Sequence, residues 1–308
     1  MIRVRGLRKS YGEVVAVDGV DLDVRRGEVF GILGPNGAGK TTTLEMMEGL
    51  KKPDAGEVEV AGYDAAREPH ELKRIVGVQL QATALFDFLT IRETLELFAD
   101  LYDADSSPKR IGGLLEIVSL AHKAKARVDE LSGGQQQRLS LALAIINDPR
   151  IVFLDEPTTG LDPQARRNLW DLVEKIRAGG KTVVLTTHYM EEAETLCDRV
   201  AIMDAGNVLI CDTPRALVRS LGPGATVTAT LEGPEGPRLD ANLDLLPGAT
   251  DEDRDGRGVS LKTDDARATL AGLLALAEER GLGLEDLSIK SPDLEDVFIS
   301  YTGRGLRE

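Results

Sequence analysis

Cysteine is scarce: two in 308 residues, Cys197 and Cys211, and neither belongs to a Cys-x-x-Cys pair. That excludes a paired-thiolate zinc or redox centre, and the apolar flanks of both predict buried, inert thiols in a reducing compartment. Basic charge is also short. With 37 Lys and Arg against 52 Asp and Glu, the formal net charge is −15. A nucleic-acid partner is therefore not expected, because such binding draws on clustered cations that neutralise phosphate. No apolar run approaches the ~20 residues of a membrane helix; the nearest, Leu141 to Ile146, is one buried helix face. The amino terminus, MIRVRGLRKSYG, lacks the apolar segment of a secretory signal, so any membrane role is expected to be peripheral. There is no internal repeat. What remains is a chain with 42% hydrophobic residues, long enough for one large core and a smaller second one.

Apolar, β-branched runs ending in Gly, Asp, Gln or His recur at EVFGILG, RIVGVQLQ, IVFLDEP and TVVLTTH, with amphipathic helical stretches between them. That rhythm predicts an α/β fold with a sheet buried on both faces and a ligand at the carboxyl ends of its strands. The earlier segments IRVRGLRKSYG, VVAVDGVDLDV and GEVEVAGYD alternate in polarity between turn residues, which predicts an antiparallel layer. From about residue 82 to 141 the apolar spacing turns helical, as in TIRETLELFADLY, and predicts a helical subdomain inserted into the α/β core. Composition shifts at Leu221-Gly222-Pro223-Gly224, followed by an acidic run at Asp251-Glu252-Asp253. A boundary there gives domains of 1–222 and 223–308, the second a small α/β unit of strands ATVTATLEG, GVSLKT and LEDLSIKS with two helices.

Gly34-Pro35-Asn36-Gly37-Ala38-Gly39-Lys40-Thr41 follows the first apolar strand and precedes a helix, with Thr42 next in line. Glycines in this spacing let successive backbone N–H groups curl around phosphate, while Lys40 reaches the β and γ phosphates and Thr41 offers a hydroxyl to Mg²⁺. Alone this implies a nucleoside triphosphate. Asp155 and Glu156 end the strand IVFL, where Asp155 can hold Mg²⁺ through water and Glu156 can act as general base toward an attacking water. Leu131-Ser132-Gly133-Gly134-Gln135 precedes an apolar helix, with Ser132 placed as its cap, and builds a second anion site. One nucleotide does not need two such sites.

In this order, after a helical insertion and before IVFLDEP, LSGGQ resembles the signature of ATP-binding-cassette (ABC) ATPases, and the motifs of residues 1–222 match that family throughout. The resemblance implies an ABC-type nucleotide-binding domain, ATP and Mg²⁺ as ligands, and hydrolysis between two paired subunits. It assigns Tyr11 to stacking on adenine, Asp162 to communication between the two sites, and His188 to the γ-phosphate and to holding Glu156 and the water. It also assigns Gln81 to the glutamine that senses Mg²⁺ and γ-phosphate, with Gln79 a rival that falls inside the strand. His70 and His122, in charged surroundings, are expected at the surface, and Trp170 in the core.

The tail, Leu294-Glu295-Asp296-Val297-Phe298-Ile299 then Thr302-Gly303-Arg304, resembles a narrower group: ATPase subunits of daunorubicin-resistance-type exporters, whose separate membrane permeases are of the ABC-2 class. This implies an exporter subunit, most simply a homodimer, at the cytoplasmic face of the membrane, with the permease seated near the stretch QATALFDFL (81–89). Two alternatives keep the motor and change its task. A soluble ABC protein acting on ribosomes or DNA is disfavoured by a single cassette, the acidic charge and the absence of heptads or zinc modules. An importer subunit is disfavoured by the tail and by the lack of a longer β-rich regulatory domain.

Overall fold

The chain, a computed structural model, is described over residues 1–80, 85–222, 224–232, 243, 246–255, 258–303 and 305. Its elements begin with β1 (Ile2–Tyr11), β2 (Val14–Val24), β3 (Val29–Leu33), α1 (Lys40–Met47), β4 (Ala55–Val60), β5 (Tyr63–Asp64), α2 (Pro69–Lys73) and β6 (Val76–Gln79). There follow α3 (Ile91–Leu101), α4 (Pro108–Ile117), α5 (Gly133–Ala144), β7 (Ile151–Asp155), α6 (Pro163–Ala178), β8 (Thr182–Thr187), α7 (Met190–Leu196), β9 (Arg199–Asp204) and β10 (Asn207–Asp212).

The alternating segments form the antiparallel layer β2-β1-β4-β5, and the continuously apolar ones form a six-stranded sheet in the order β10-β9-β3-β8-β7-β6. Strands β9, β3, β8, β7 and β6 run parallel, and β10 pairs antiparallel with β9 at one edge. The buried pattern of β3, β7 and β8 is unbroken, as a sheet covered on both faces requires. Phe30, Ile32, Phe153 and Val184 point one way and join Leu7, Leu22, Leu44, Met47 and Val58 in a core shared by the sheet, α1 and the antiparallel layer. Gly31 points the other way, where a Cβ would lie 2.7 Å from Cys197 Sγ, so α7 approaches too closely for any side chain there.

The inserted segment holds α3, α4 and α5. Helix α3 starts at a reciprocal capping box, Thr90 with Glu93, and buries Ile91, Leu95 and Ala99 along one face. The hairpin β9–β10 was not anticipated from the sequence, although Ala205 and Gly206, both at positive φ between two apolar runs, carry its turn signal.

Contacts divide the chain between Pro214 and Arg215, ahead of the composition shift at 221–224. The second unit, Arg215–Gly305, contains most of α8 (Pro214–Ser220), then β11 (Ala225–Glu232), β12 (Ala249–Asp255), β13 (Gly258–Thr263), α9 (Ala266–Arg280), β14 (Gly283–Lys290) and α10 (Leu294–Thr302). Its antiparallel sheet has the order β12-β13-β11-β14, and its core gathers Val227, Leu231, Leu243, Val259, Leu261 and Leu273. The acidic run at 251–253 is part of an edge strand. Among the described residues no helix is long and apolar enough to cross a membrane.

Candidate active site

The loop after β3 is shaped by close approaches. A Cβ on Gly34 would fall 2.2 Å from the Met203 carbonyl oxygen, and one on Gly39 2.3 Å from that of Ala16, so neither position admits a side chain. Gly37 and Gly39 have φ of 82° and 97°, and Gly37 opens onto free space where a ligand can approach the backbone. Pro35 accepts from the Ala38 N–H at 3.2 Å, Asn36 is exposed, and Gly39 leads into α1 without a side-chain cap. The first N–H groups of α1, which starts at Lys40, Thr41 and Thr42, therefore have no capping side chain and are open to an anion.

Lys40 is 4% exposed and donates to the carbonyls of Gly34 (2.9 Å) and Pro35 (3.0 Å). Its Nζ also lies 3.2 Å from Glu156 Oε1. Thr41 Oγ1 donates to Asp155 Oδ1 at 3.1 Å, and Thr186 Oγ1 donates to the same oxygen. The Glu156 N–H donates to Thr186 Oγ1 at 2.9 Å, so a single hydroxyl on β8 fixes both acids at the end of β7. Thr186 was missed in the sequence; its signal is its place near the end of β8, two residues before His188, which follows the strand.

Glu156 adopts φ 45°, a left-handed conformation that costs a side-chain-bearing residue about 1–3 kcal/mol. The local packing tolerates this and aims the carboxylate back over the loop. Thr159 Oγ1 donates to Glu156 Oε2 at 3.1 Å, and His188 Nδ1 stands 3.3 Å from that oxygen, close to it but not aligned as a hydrogen bond. Burial would raise the Glu156 pKa, yet Lys40 and, to a lesser degree, His188 and Thr159 outweigh it and hold the group below the ordinary carboxylate range. Asp155 moves the other way: burial raises it, partly opposed by its bonds to Thr186 and Thr41. Glu156 is thus an ionised, oriented carboxylate at neutral pH.

The structure gathers Lys40, Thr41, Asp155, Glu156 and His188. Ser132, Gly133 and Gly134 instead line their own shallow cavity of about 220 Å³ together with Asp162. There Gln135 Oε1 accepts from the Ser132 N–H at 3.1 Å and from Lys123 Nζ at 3.2 Å, which makes it a brace for the loop. Asp162 caps α6, accepting from the Ala165 N–H at 2.8 Å. Gln137 Nε2 donates to the Pro157 carbonyl at 2.6 Å and ties α5 to the segment that follows Glu156. Tyr11, at the end of β1, is 44% exposed, with Lys51 Nζ 5.2 Å from its ring centre.

Gln81 lies outside the described residues; β6 ends at Gln79, which is buried. His70 and His122 are exposed. Trp170 is buried and donates to Glu192 Oε1 at 3.1 Å. Both cysteines are free; Cys197 is buried, and Cys211, only half-buried, accepts from Arg199. A cavity of about 870 Å³ beside Arg25, Arg26 and Arg150 contains none of the predicted site residues.

Comparison with known proteins gives the family. The family model described as ABC transporter matches residues 17–159. The daunorubicin resistance ATP-binding protein DrrA3 of Streptomyces coeruleorubidus is 42% identical over 98% of this chain and 96% of its own length. The Nod factor export ATP-binding protein I of Ralstonia nicotianae is 40% identical over all of this chain and 95% of its own. Among solved structures, the dimeric post-hydrolysis state of an ATP-binding cassette bound to ADP and Pi superposes with a TM-score of 0.63. It is 31% identical and covers 69% of this chain and 98% of that one. With a relative this similar along nearly its entire length, the chain belongs to the ABC transporter family as one of its ATP-binding ATPases.

Proposed function

We propose that this protein is the motor subunit of an exporter, hydrolysing ATP as a head-to-tail homodimer and driving a separate integral membrane permease of the ABC-2 type from the cytoplasmic face. The observation that carries the paired reading is the division of the two anion sites. Lys40, Asp155 and Glu156 form one constellation, while Ser132, Gly133 and Gly134 open with Asp162 into a different cavity. A second copy supplies what each site lacks.

In that pair the backbone of residues 34–39 and Lys40 hold the β and γ phosphates, Ser132 and its glycines from the second copy face the γ-phosphate, and Tyr11 offers a ring to adenine. The Thr41 hydroxyl and the Asp155 carboxylate, 3.1 Å apart, are hard oxygen donors of the kind Mg²⁺ takes, with Gln81 as a further ligand. Bound there, Mg²⁺ would neutralise charge on the phosphates. Glu156 accepts the proton of the attacking water, and His188 keeps its carboxylate in line.

Export is favoured over import or a soluble role by the names and whole-length similarity of the relatives, one a resistance protein and the other an export protein. Of the stretch expected to meet the permease, 81–84 lies outside the described residues. Within the rest, Phe86 and Phe88 are exposed, which favours a contact surface over a core.

Glu156→Gln tests the composite site. It should keep ATP binding, lower turnover by about 10²–10⁴, and accumulate an ATP-bound dimer in sedimentation. A strictly monomeric variant with normal turnover would overturn the reading.

A further inference from the structure

Among the described residues, two buried polar side chains that share one cavity outside the catalytic constellation make no hydrogen bond. Glu48, just past α1, and Gln79, the last residue of β6, are each 1% exposed, and neither oxygen of Glu48 nor either polar atom of Gln79 makes a hydrogen bond. Both line one cavity of about 500 Å³ at the β6 edge of the six-stranded sheet. Its walls are largely apolar, with Leu50, Leu80, Phe98 and Tyr102 among them. Buried polar groups are nearly always paired, so an acid and an amide left bare at one floor describe a place for something else.

We propose that this cavity receives a single Arg or Lys side chain carried by an apolar segment of a partner polypeptide, with Glu48 and Gln79 as the groups that recognise it. The chemistry narrows the occupant. With Glu48 ionised by an incoming cation, the unpartnered set is three acceptor oxygens and one N–H₂ donor. A metal ion would need more ligands, and among the described residues no group of three acidic, His or Cys side chains is arranged to hold one. An anion would meet Glu48, with Asp155 and Glu45 acting on it as further negative charges. A purely apolar side chain would seal the floor with its polar atoms unsatisfied. A basic side chain lays its aliphatic stem along the walls and brings its donors to the carboxylate and amide oxygens, and a peptide carbonyl beside it serves the Gln79 N–H₂.

Lys73 also lines the cavity, but it is exposed, where solvent screens its opposing charge. Glu45 is already paired with Lys51 at 2.7 Å. Burial, then Asp155 and Glu45, push the Glu48 carboxyl up to about 8, which a cation at the floor would reverse. The net charge of −15 favours a basic partner at longer range. The proposal rests on the exporter reading only in naming the partner as the membrane subunit.

The test uses the full chain and a short helical peptide of Ala and Leu with one Arg, against the same peptide with citrulline, a neutral isostere, at that position. The Arg peptide should bind at least ten-fold more tightly, and Glu48→Gln should abolish the difference while leaving ATP hydrolysis and ATP-driven pairing unchanged. Gln79→Met should weaken the Arg peptide without removing its advantage, and serves as the second variant if Glu48→Gln fails to fold. Equal binding of the two peptides, or an Arg preference intact in folded Glu48→Gln, overturns the proposal. Because the composite site is read separately, by sedimentation of Glu156→Gln, either idea can fail alone.

Discussion

Tyr11 and Glu48 show how differently two residues can declare themselves. Tyr11 ends β1 with its ring accessible and lysines beside it, and a stacking role needs only a ring face. Tyr11→Phe should leave ATP affinity nearly unchanged, and Tyr11→Ala should weaken it several-fold in a nucleotide titration; equal losses would make the hydroxyl structural. Glu48 acts through its proton. The folded protein holds that proton up to about pH 8, whereas the group ordinarily releases it near 4.5. Stability is therefore fully present below about 4.5 and declines as pH rises toward 8, by at most about 5 kcal/mol at roughly 1.4 kcal/mol per pH unit. Glu48→Gln removes that slope, so its melting temperature should match the wild type near pH 5 and exceed it at pH 8.5. A constant difference across this range would contradict the assignment. The phosphate loop was legible because Gly34 and Gly39 have no room for a side chain, and a motif spacing records that directly. Glu48 and Gln79 were not, because only the assembled sheet edge buries them, and the sequence offered Gln79 merely as a rival to Gln81.

Elements were readable where one periodicity ruled. Strands β1, β2 and β4 alternate and β3, β7 and β8 do not, which separated the antiparallel layer from the buried sheet before any contact was known. Strand β12 escaped because ATDEDRD has no apolar alternation; its pairing with β13 is imposed by the rest of the sheet. The contact between α5 and β6 was equally invisible, although one glycine controls it. A Cβ on Gly77 would sit 1.7 Å from the Ala144 carbonyl oxygen and 3.0 Å from Pro149, both held by rigid elements. Gly77→Ala should therefore destabilise the protein by about 3 kcal/mol or more in denaturant unfolding. Gly113→Ala, in α4 with nothing near its would-be Cβ, should instead stabilise by about 0.5–1 kcal/mol. Similar effects at the two sites would mean that α5 does not approach the sheet as described.

At the scale of the whole molecule, the exporter reading proposed above requires a surface through which motion passes to another chain. Phe88, 85% exposed with the Arg127 guanidinium 5.9 Å from its ring, is the most exposed large apolar side chain described. Burying such a ring against a partner is worth about 1.5–3 kcal/mol. Phe88→Asp should release most of the protein from membranes in cells that contain the permease, with ATP binding and melting temperature unchanged. Loss of folding would assign the ring to the core, and unchanged membrane association would take it out of the interface.

Strand β12 has a bearing on how copies of this chain meet. It forms one rim of the second unit's sheet, and Asp251, Glu252, Asp253 and Asp255 are strung along it with a single arginine. A bare rim of backbone donors and acceptors invites strand-on-strand polymerisation, and a row of like charges discourages it. In the paired form proposed above, that restraint would keep two copies from stacking by their sheets and favour closed pairs over filaments.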